Sequence, residues 1–226
     1  MQSGAQMQSG AQMQIGVQKA AQKTNCMHQN SIIRNTMTRD DISYVQLAPE
    51  YFEGVIALGN HVHGDNYLTP ELINDYYTRS FHNNINASWL ALHNDVVVGF
   101  RLTFAHTQWT PDKWCSTNLW TVDKDKVCYF KCNTVVPDKQ GLGIGSKLLA
   151  KSIESASSQG AVAGLAHIWL ASPGNSAFKY FSKNGGVLIK KHPNKWQHAS
   201  IYEGYDCPVC DEHCYCEGAE MMLSFT

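Results

Sequence analysis

The sequence predicts a mixed α/β (or α+β) layer fold. Strand-like and helix-like segments share one chain without strict alternation, the pattern of helices packed on a mixed sheet. A glycine-rich loop joins a strand to an amphipathic helix. Hydrophobic residues make up 43% and aromatics 11% of 226 residues, enough for the core of one generous domain and too many for a wholly disordered chain.

The chain opens with three near-identical six-residue units over residues 1–18, rich in Gln, Gly and Met. Residues 1–30 read as a disordered repeat tail. The alternative is a transit segment, because residues 1–39 hold four basic residues and no acid. No apolar run of a secretory signal is present, which predicts a reducing, cytoplasmic setting. Ordered structure is expected from residue 31, with Ile32–Met37 as a first strand. Thr38 then offers a helix cap, with Asp40 and Asp41 in the first turn. That helix is expected to run through Val45, Leu47, Phe52, Val55 and Leu58, with Pro49 as a blemish. Thr69-Pro70-Glu71 repeats the start signal for a helix to Ser80.

Ser88–Leu92 and Val96–Ala105 read as two strands joined by an Asn-Asp turn. Residues 108–125 are irregular and carry Trp109, Trp114 and Trp120, expected mainly to cover the core. Lys126–Val136 is the next strand, and Cys128 and Cys132 on it are expected to share a buried face. Ile144, Leu148, Leu149, Ile153 and Ala156 mark a helix to about Gln159. A strand over Gly164–Ser172, a short helix over Ala177–Asn184 and strands over 186–191 and 219–225 complete the order.

The segment Val135-Val136-Pro137-Asp138-Lys139-Gln140-Gly141-Leu142-Gly143-Ile144-Gly145-Ser146 carries the chemistry. Glycines let a backbone approach a ligand, and the helix start presents unpaired N–H groups and a positive dipole end. The combination suits a phosphate. The spacing matches neither a dinucleotide fingerprint nor a P-loop.

Gln140-x-x-Gly143-x-Gly145, preceded by Val136-Pro137, resembles the acyl-coenzyme A loop of the GNAT N-acetyltransferase superfamily. The likeness covers about residues 31–190. It implies a central, mostly antiparallel twisted sheet, splayed at the cofactor strand and flanked by helices. It implies acetyl-coenzyme A as cosubstrate, with its pyrophosphate on the backbone of Gln140, Gly141, Leu142, Gly143, Ile144, Gly145 and Ser146. Its pantetheine arm would pair with the free edge of Asn133–Val136, as an added strand does. A backbone N–H near Val135 or Val136 would hold the oxyanion. The family's later element, an Asn, an Ala and then a Tyr, is represented here by Asn175, Ala177 and, near them, Phe178 and Tyr180. The family Tyr position itself falls on Phe181, and Tyr180 lies one residue earlier. A Phe cannot protonate a leaving thiolate, so the candidate acid is Tyr180, if the helix start is shifted by one residue, or else water or another group.

The implied reaction is acetyl transfer from acetyl-coenzyme A to a primary amine by direct attack. Candidate catalytic residues are Tyr180, Asn133, which could position a water, and His167, which titrates in the right range. His61, His63, Asp65, Asn66 and Tyr67 form a polar group between the first two helices, read as a turn or as a substrate contact. The alternative function is a non-catalytic acyl-coenzyme A sensor or a zinc-clipped interaction module. The expected partner is a small-molecule or peptide amine, and a homodimer is possible. A net charge of −1 argues against nucleic acid or an anionic membrane, and no apolar stretch is long enough to span a bilayer.

Of eight cysteines, Cys207, Cys210, Cys214 and Cys216 have the spacing C-x2-C-x3-C-x-C within an insertion at about 203–218. Four thiolates suit structural zinc, with His192, His198 and His213 as alternative ligands. The surroundings are acidic, including Glu203, Asp206, Glu217 and Glu220, which would favour a cationic amine nearby.

Overall fold

The computed structural model describes residues 41–210 and 213–225. The repeat tail, the expected strand over Ile32–Met37 and the cap at Thr38 lie outside them.

Strand β1 (Ser43–Gln46) takes the place of the first half of the expected first helix. It pairs antiparallel with β4 (Trp89–His93), whose edge supplies the hydrogen-bond partners, and the two-residue spacing of Val45 and Leu47 suits this strand better than the expected helix. Helix α1 (Phe52–His63) begins only after a 3-10 turn over Pro49–Tyr51, so Pro49 opens the helical segment rather than interrupting one. Helix α2 (Pro70–Arg79) starts as expected, with the Thr69 hydroxyl accepting from the Leu72 amide at 3.2 Å.

A small hairpin follows, β2 (Phe81–His82) and β3 (Ile85–Asn86), turned by Asn83 and Asn84, both at positive φ. Strand β4 leads through Asn94 and Asp95, also at positive φ, into β5 (Val96–Phe104). Strand β6 (Val127–Val135), helix α3 (Ile144–Ser158), strand β7 (Ala163–Trp169) and helix α4 (Ser176–Lys183) lie close to their expected positions. Strand β8 (Val187–His192), a short helix α5 (Gln197–Tyr202) and strand β9 (Gly218–Ser224) end the described chain.

Seven strands form one sheet in the order β1-β4-β5-β6-β7-β9-β8. Among the described strands every neighbouring pair is antiparallel except β6–β7. That parallel pair holds only over Val127–Tyr129 against Ala163–Leu165, and beyond it β6 and β7 part. Helices α3 and α4 cover one face, burying Leu149, Ala156 and Phe181 against Cys128, Phe130 and Met221. Helices α1 and α2 cover the other, burying Val55, Leu58 and Ile73 against Phe100, Leu102 and Cys132.

Cys128 and Cys132 therefore do not share a face. Leu102 pairs with Cys132 while the next β5 residue, Thr103, pairs with Phe130, so Lys131 is an extra residue in β6. This bulge inverts the alternation and sends the two thiols into different cores.

Candidate active site and cysteine cluster

The glycine loop sits at the mouth of the β6–β7 opening. Gly143 caps α3 at φ +83° with no side-chain cap, and Gly141 shares that left-handed conformation. Only glycine takes this backbone cheaply, and the uncapped helix start leaves its first amides facing outward. The Gln140 side chain closes the turn by donating to the Val135 carbonyl at 3.2 Å. Ile144 is buried beneath the loop, while Leu142 packs beside it and Ser146 accepts from the Asn184 amide at 3.2 Å.

Below the loop, Asn133, Gly145 and Tyr180 converge. A Cβ on Gly145 would lie 3.3 Å from both Asn133 Nδ2 and Tyr180 Cε2. The Tyr180 hydroxyl donates to the Gly145 carbonyl at 2.9 Å and accepts from Arg101 at 3.2 Å. Arg101 is buried on β5 opposite Asn133, a charged neighbour that the sequence alone did not single out. Phe181 is fully buried edge-on to Phe130, so it is core, and Tyr180 is the α4 hydroxyl that faces the opening. Asn133 Oδ1, Asn175 Oδ1 and Arg101 Nε are buried without a partner. Asn175 starts α4 at φ +54°, and Phe178 packs on the core behind it.

Of the two amides expected to hold the oxyanion, one is engaged. The Val136 amide donates to the Val98 carbonyl at 3.0 Å, so it is not free to hold an oxyanion. Antiparallel alternation then turns the amides of Val135 and Asn133 away from β5, toward the open edge.

His167 lies on the other face of the sheet, apart from Asn133 and Tyr180. Its Nδ1 is 3.1 Å from the Tyr129 hydroxyl and its Nε2 2.8 Å from the Trp114 carbonyl. A carbonyl only accepts, so Nε2 carries the proton and Nδ1 accepts from Tyr129. Burial, then the Lys195 charge, lowers the His167 pKa to about 4, so the ring is neutral near pH 7. Burial likewise raises the Tyr129 pKa and lowers that of Lys195 to about 8. Lys195 Nζ lies 5.1 Å over the Trp114 ring. Trp109 and Trp120 cover the core as expected, donating to the Val127 carbonyl at 2.7 Å and to Glu220 at 2.8 Å.

Glu220 is not part of an acidic surface. It is fully buried and also accepts from the Ser116 amide and His192. Burial opposes its ionisation, but the hydrogen bonds from Trp120, Ser116 and His192 outweigh it and hold the carboxyl below its usual range.

The polar group between α1 and α2 reaches the same face. His63, in the last turn of α1, lies 2.7 Å from Thr134 Oγ1 and 3.6 Å from Cys132 Sγ. Its ring stacks on Tyr67 at 4.4 Å.

The four expected ligand cysteines come together, with all their sulfurs within 4.8 Å of one another. Cys207–Cys216 and Cys210–Cys216 are 3.8 Å apart. Tetrahedral zinc–thiolate bonds of about 2.3 Å place sulfurs about 3.8 Å apart, far beyond a disulfide. The cluster fits zinc. His192 and His198 are engaged elsewhere, with Glu220 and Glu203. The cluster abuts the α1–α2 connection, since a Cβ on Gly64 would meet the Asp206 carbonyl at 2.6 Å.

A sheet splayed at one parallel pair, with a glycine-capped helix at its mouth, is the layout that the sequence resemblance implies. The sequence profile of the acetyltransferase (GNAT) family matches residues 50–185, more than half of the chain, and the chain belongs to that family. No curated protein matches it. The fold is shared with yncA from Salmonella typhimurium, solved with acetyl-CoA, at 14% identity and TM-score 0.58, covering 82% of this chain and 94% of that one. Arabidopsis thaliana Naa50, solved with the bisubstrate analogue CoA-Ac-MVNAL, gives 16% identity and TM-score 0.55, covering 82% and 99%. Chaetomium thermophilum Naa20, also with a bisubstrate analogue, gives 12% and 0.60, covering 81% and 86%. No helix among the described residues is long and apolar enough to cross a membrane.

Proposed function

We propose that the protein transfers an acetyl group from acetyl-coenzyme A to a primary amine by direct attack. The observation that carries this reading is the uncapped, glycine-started helix α3 beside the free edge of β6. The amides of Gln140–Ser146 hold the pyrophosphate, and the outward edge of Asn133–Val135 pairs with the pantetheine arm. The Val135 or Asn133 amide stabilises the oxyanion. The partnerless oxygens of Asn133 and Asn175 suit a ligand rich in amide donors.

On the opposite face, the Tyr129 oxygen, with its proton held by His167, has lone pairs left to accept from an incoming amine. Tyr180, supported by Arg101, supplies a proton to the departing thiolate. The acceptor enters between the α1–α2 connection, the Trp114 loop and the cysteine cluster, which holds zinc as a structural clip. Arabidopsis thaliana Naa50, solved with the bisubstrate analogue CoA-Ac-MVNAL, makes a peptide amine the first acceptor to try. Thiol release from acetyl-coenzyme A, with mass measurement of the product over peptide and small amines, tests the reading. Amine-dependent thiol release and an acetylated product are expected. Binding of acetyl-coenzyme A without turnover on any amine would turn the reading to a sensor.

A further inference from the structure

A second reactive group lies at the same opening, unused by the scheme above. Cys132 sits on β6 three residues beyond Tyr129, the last β6 residue paired with β7, and on the face that carries Tyr129 and His167. Its sulfur is within hydrogen-bonding reach of His63 Nε2 at 3.6 Å and Thr134 Oγ1 at 3.3 Å. Thr134 Oγ1 lies 2.7 Å from that same nitrogen, so its hydroxyl bridges the thiol and the imidazole, and Tyr67 lies against the ring. A thiol linked through a hydroxyl to an imidazole is an arrangement that can activate a cysteine nucleophile. Burial works against the thiolate here, but the His63 charge and hydrogen bonds from His63, Thr134 and Tyr67 outweigh it and hold the thiol at about 7, below its usual value. Cys128, four residues earlier on the other face, lacks such partners, and burial pushes it up to about 12. The bulge at Lys131 is what separates the two environments.

We propose that Cys132 is a self-acylation site: with acetyl-coenzyme A bound and no amine present, its sulfur takes the acetyl group. This inference rests on the acetyl-coenzyme A reading. The thiol passes its proton to the Thr134 hydroxyl, which passes its own to His63 Nε2, and the Cys132 sulfur attacks the thioester carbonyl carbon. A new S–C bond forms at Cys132, the C–S bond to coenzyme A breaks, and the departing thiolate takes the proton from His63. One thioester replaces another, with no change of oxidation state. An amine entering past Tyr67 then attacks the Cys132 thioester and restores the thiol, or free coenzyme A reverses the exchange.

The test is to incubate the full chain, with its metal as isolated, with acetyl-coenzyme A and no amine. Intact mass and peptide mapping follow, with acetyl-coenzyme A binding and thermal unfolding recorded for each variant. One acetyl group per chain is expected on Cys132, removed by neutral hydroxylamine as a thioester is and discharged by an amine acceptor. It should be absent in Cys132→Ser, and its formation should slow on the order of a hundredfold in His63→Gln. Should His63→Gln fold poorly, the Cys132→Ser result and the mapped position decide. Wild-type protein that acetylates amines yet carries no hydroxylamine-labile acetyl group overturns this inference alone. So does a label that persists in Cys132→Ser. Protein that does not bind acetyl-coenzyme A overturns the functional reading, and this inference with it.

Discussion

The side of the β6–β7 opening proposed for the cofactor draws most of its parts from one stretch of chain, residues 133–146. The side proposed for the acceptor is assembled from α1, the Trp114 loop, β6, β7 and the cysteine cluster, segments up to about 150 residues apart. The first works through backbone: glycine dihedrals, a helix start and a strand edge. The second works through side chains held by one another, such as Tyr129 on His167 and His63 on Thr134. A local backbone device tolerates side-chain change except at its glycines. A side-chain assembly fails when any one member goes. Variants on the two sides should therefore separate kinetically, and this separation can be measured.

The largest effect is expected on the acceptor side. His167→Gln should lower kcat on the order of a hundredfold, while KM for acetyl-coenzyme A stays unchanged. Tyr129→Phe should do the same, and the double variant should cost no more than either alone, because the two act as one unit. Equal losses in acetyl-coenzyme A binding would break the comparison. A pH signature accompanies it. The folded His167 titrates at about 4, whereas an unfolded histidine titrates near ~6.5. Its neutral form therefore stabilises the fold fully above pH ~6.5, and that share is lost as pH falls toward ~4, up to ~3 kcal/mol. Acid unfolding of His167→Gln, followed by circular dichroism, should lack that limb.

Removing the zinc proposed for the cysteine cluster comes next. A metal at a hundredfold excess over its Kd stabilises by about 2.7 kcal/mol, or about 5–10 °C in Tm for a chain of this size. Chelator treatment or Cys210→Ser should produce that drop and raise KM for the amine, because the cluster packs against Gly64. KM for acetyl-coenzyme A should hold. Metal analysis of the untreated protein is expected to give about one zinc per chain, the stoichiometry of a four-thiolate site.

On the cofactor side, Gly143→Ala forces a side chain into the left-handed region at φ +83°. That costs about 1–2 kcal/mol at the helix start proposed to hold the phosphate. KM for acetyl-coenzyme A should rise about tenfold with KM for the amine unchanged, read from two-substrate initial rates.

The same contrast explains what was legible in the sequence. The glycine loop, α3 and the four ligand cysteines are local patterns, so their spacing announces them. Strand β1 was misread because the cap signal at Thr38 drew the helix of Phe52–Leu58 back over Val45 and Leu47, whose two-residue spacing suits a strand, while the edge of β4 that pairs with Val45 lies more than 40 residues on. The shared face of Cys128 and Cys132 failed because periodicity assumes an unbroken strand, and nothing in Lys131 advertises a bulge. His167 was visible as a residue but its partner Tyr129 was not, and the two meet across 38 positions. His63 was seen beside Tyr67, yet its contact with Cys132 spans 69. Arg101 was hidden for another reason: a charge in an apolar strand gives no sign of the ring and hydroxyl it will find.

The smallest expected effect lies between the two sides, at Tyr180. Its hydroxyl binds the Gly145 carbonyl in the first turn of α3 and also meets Arg101. Tyr180→Phe deletes both bonds and keeps the ring, which should cost about 1 kcal/mol of local order, severalfold in rate. If the hydroxyl serves only to brace α3, the loss will appear in KM for acetyl-coenzyme A, as for Gly143→Ala. If it donates to the departing thiolate, the loss falls on kcat. It then shrinks with an acyl donor whose thiol leaves more readily, because a better leaving group needs less help from an acid. Rates of wild type and Tyr180→Phe with acetyl-coenzyme A and with a more acidic acetyl thioester decide between the two. A constant ratio assigns Tyr180 to the cofactor side, and a narrowing one places it in the chemistry.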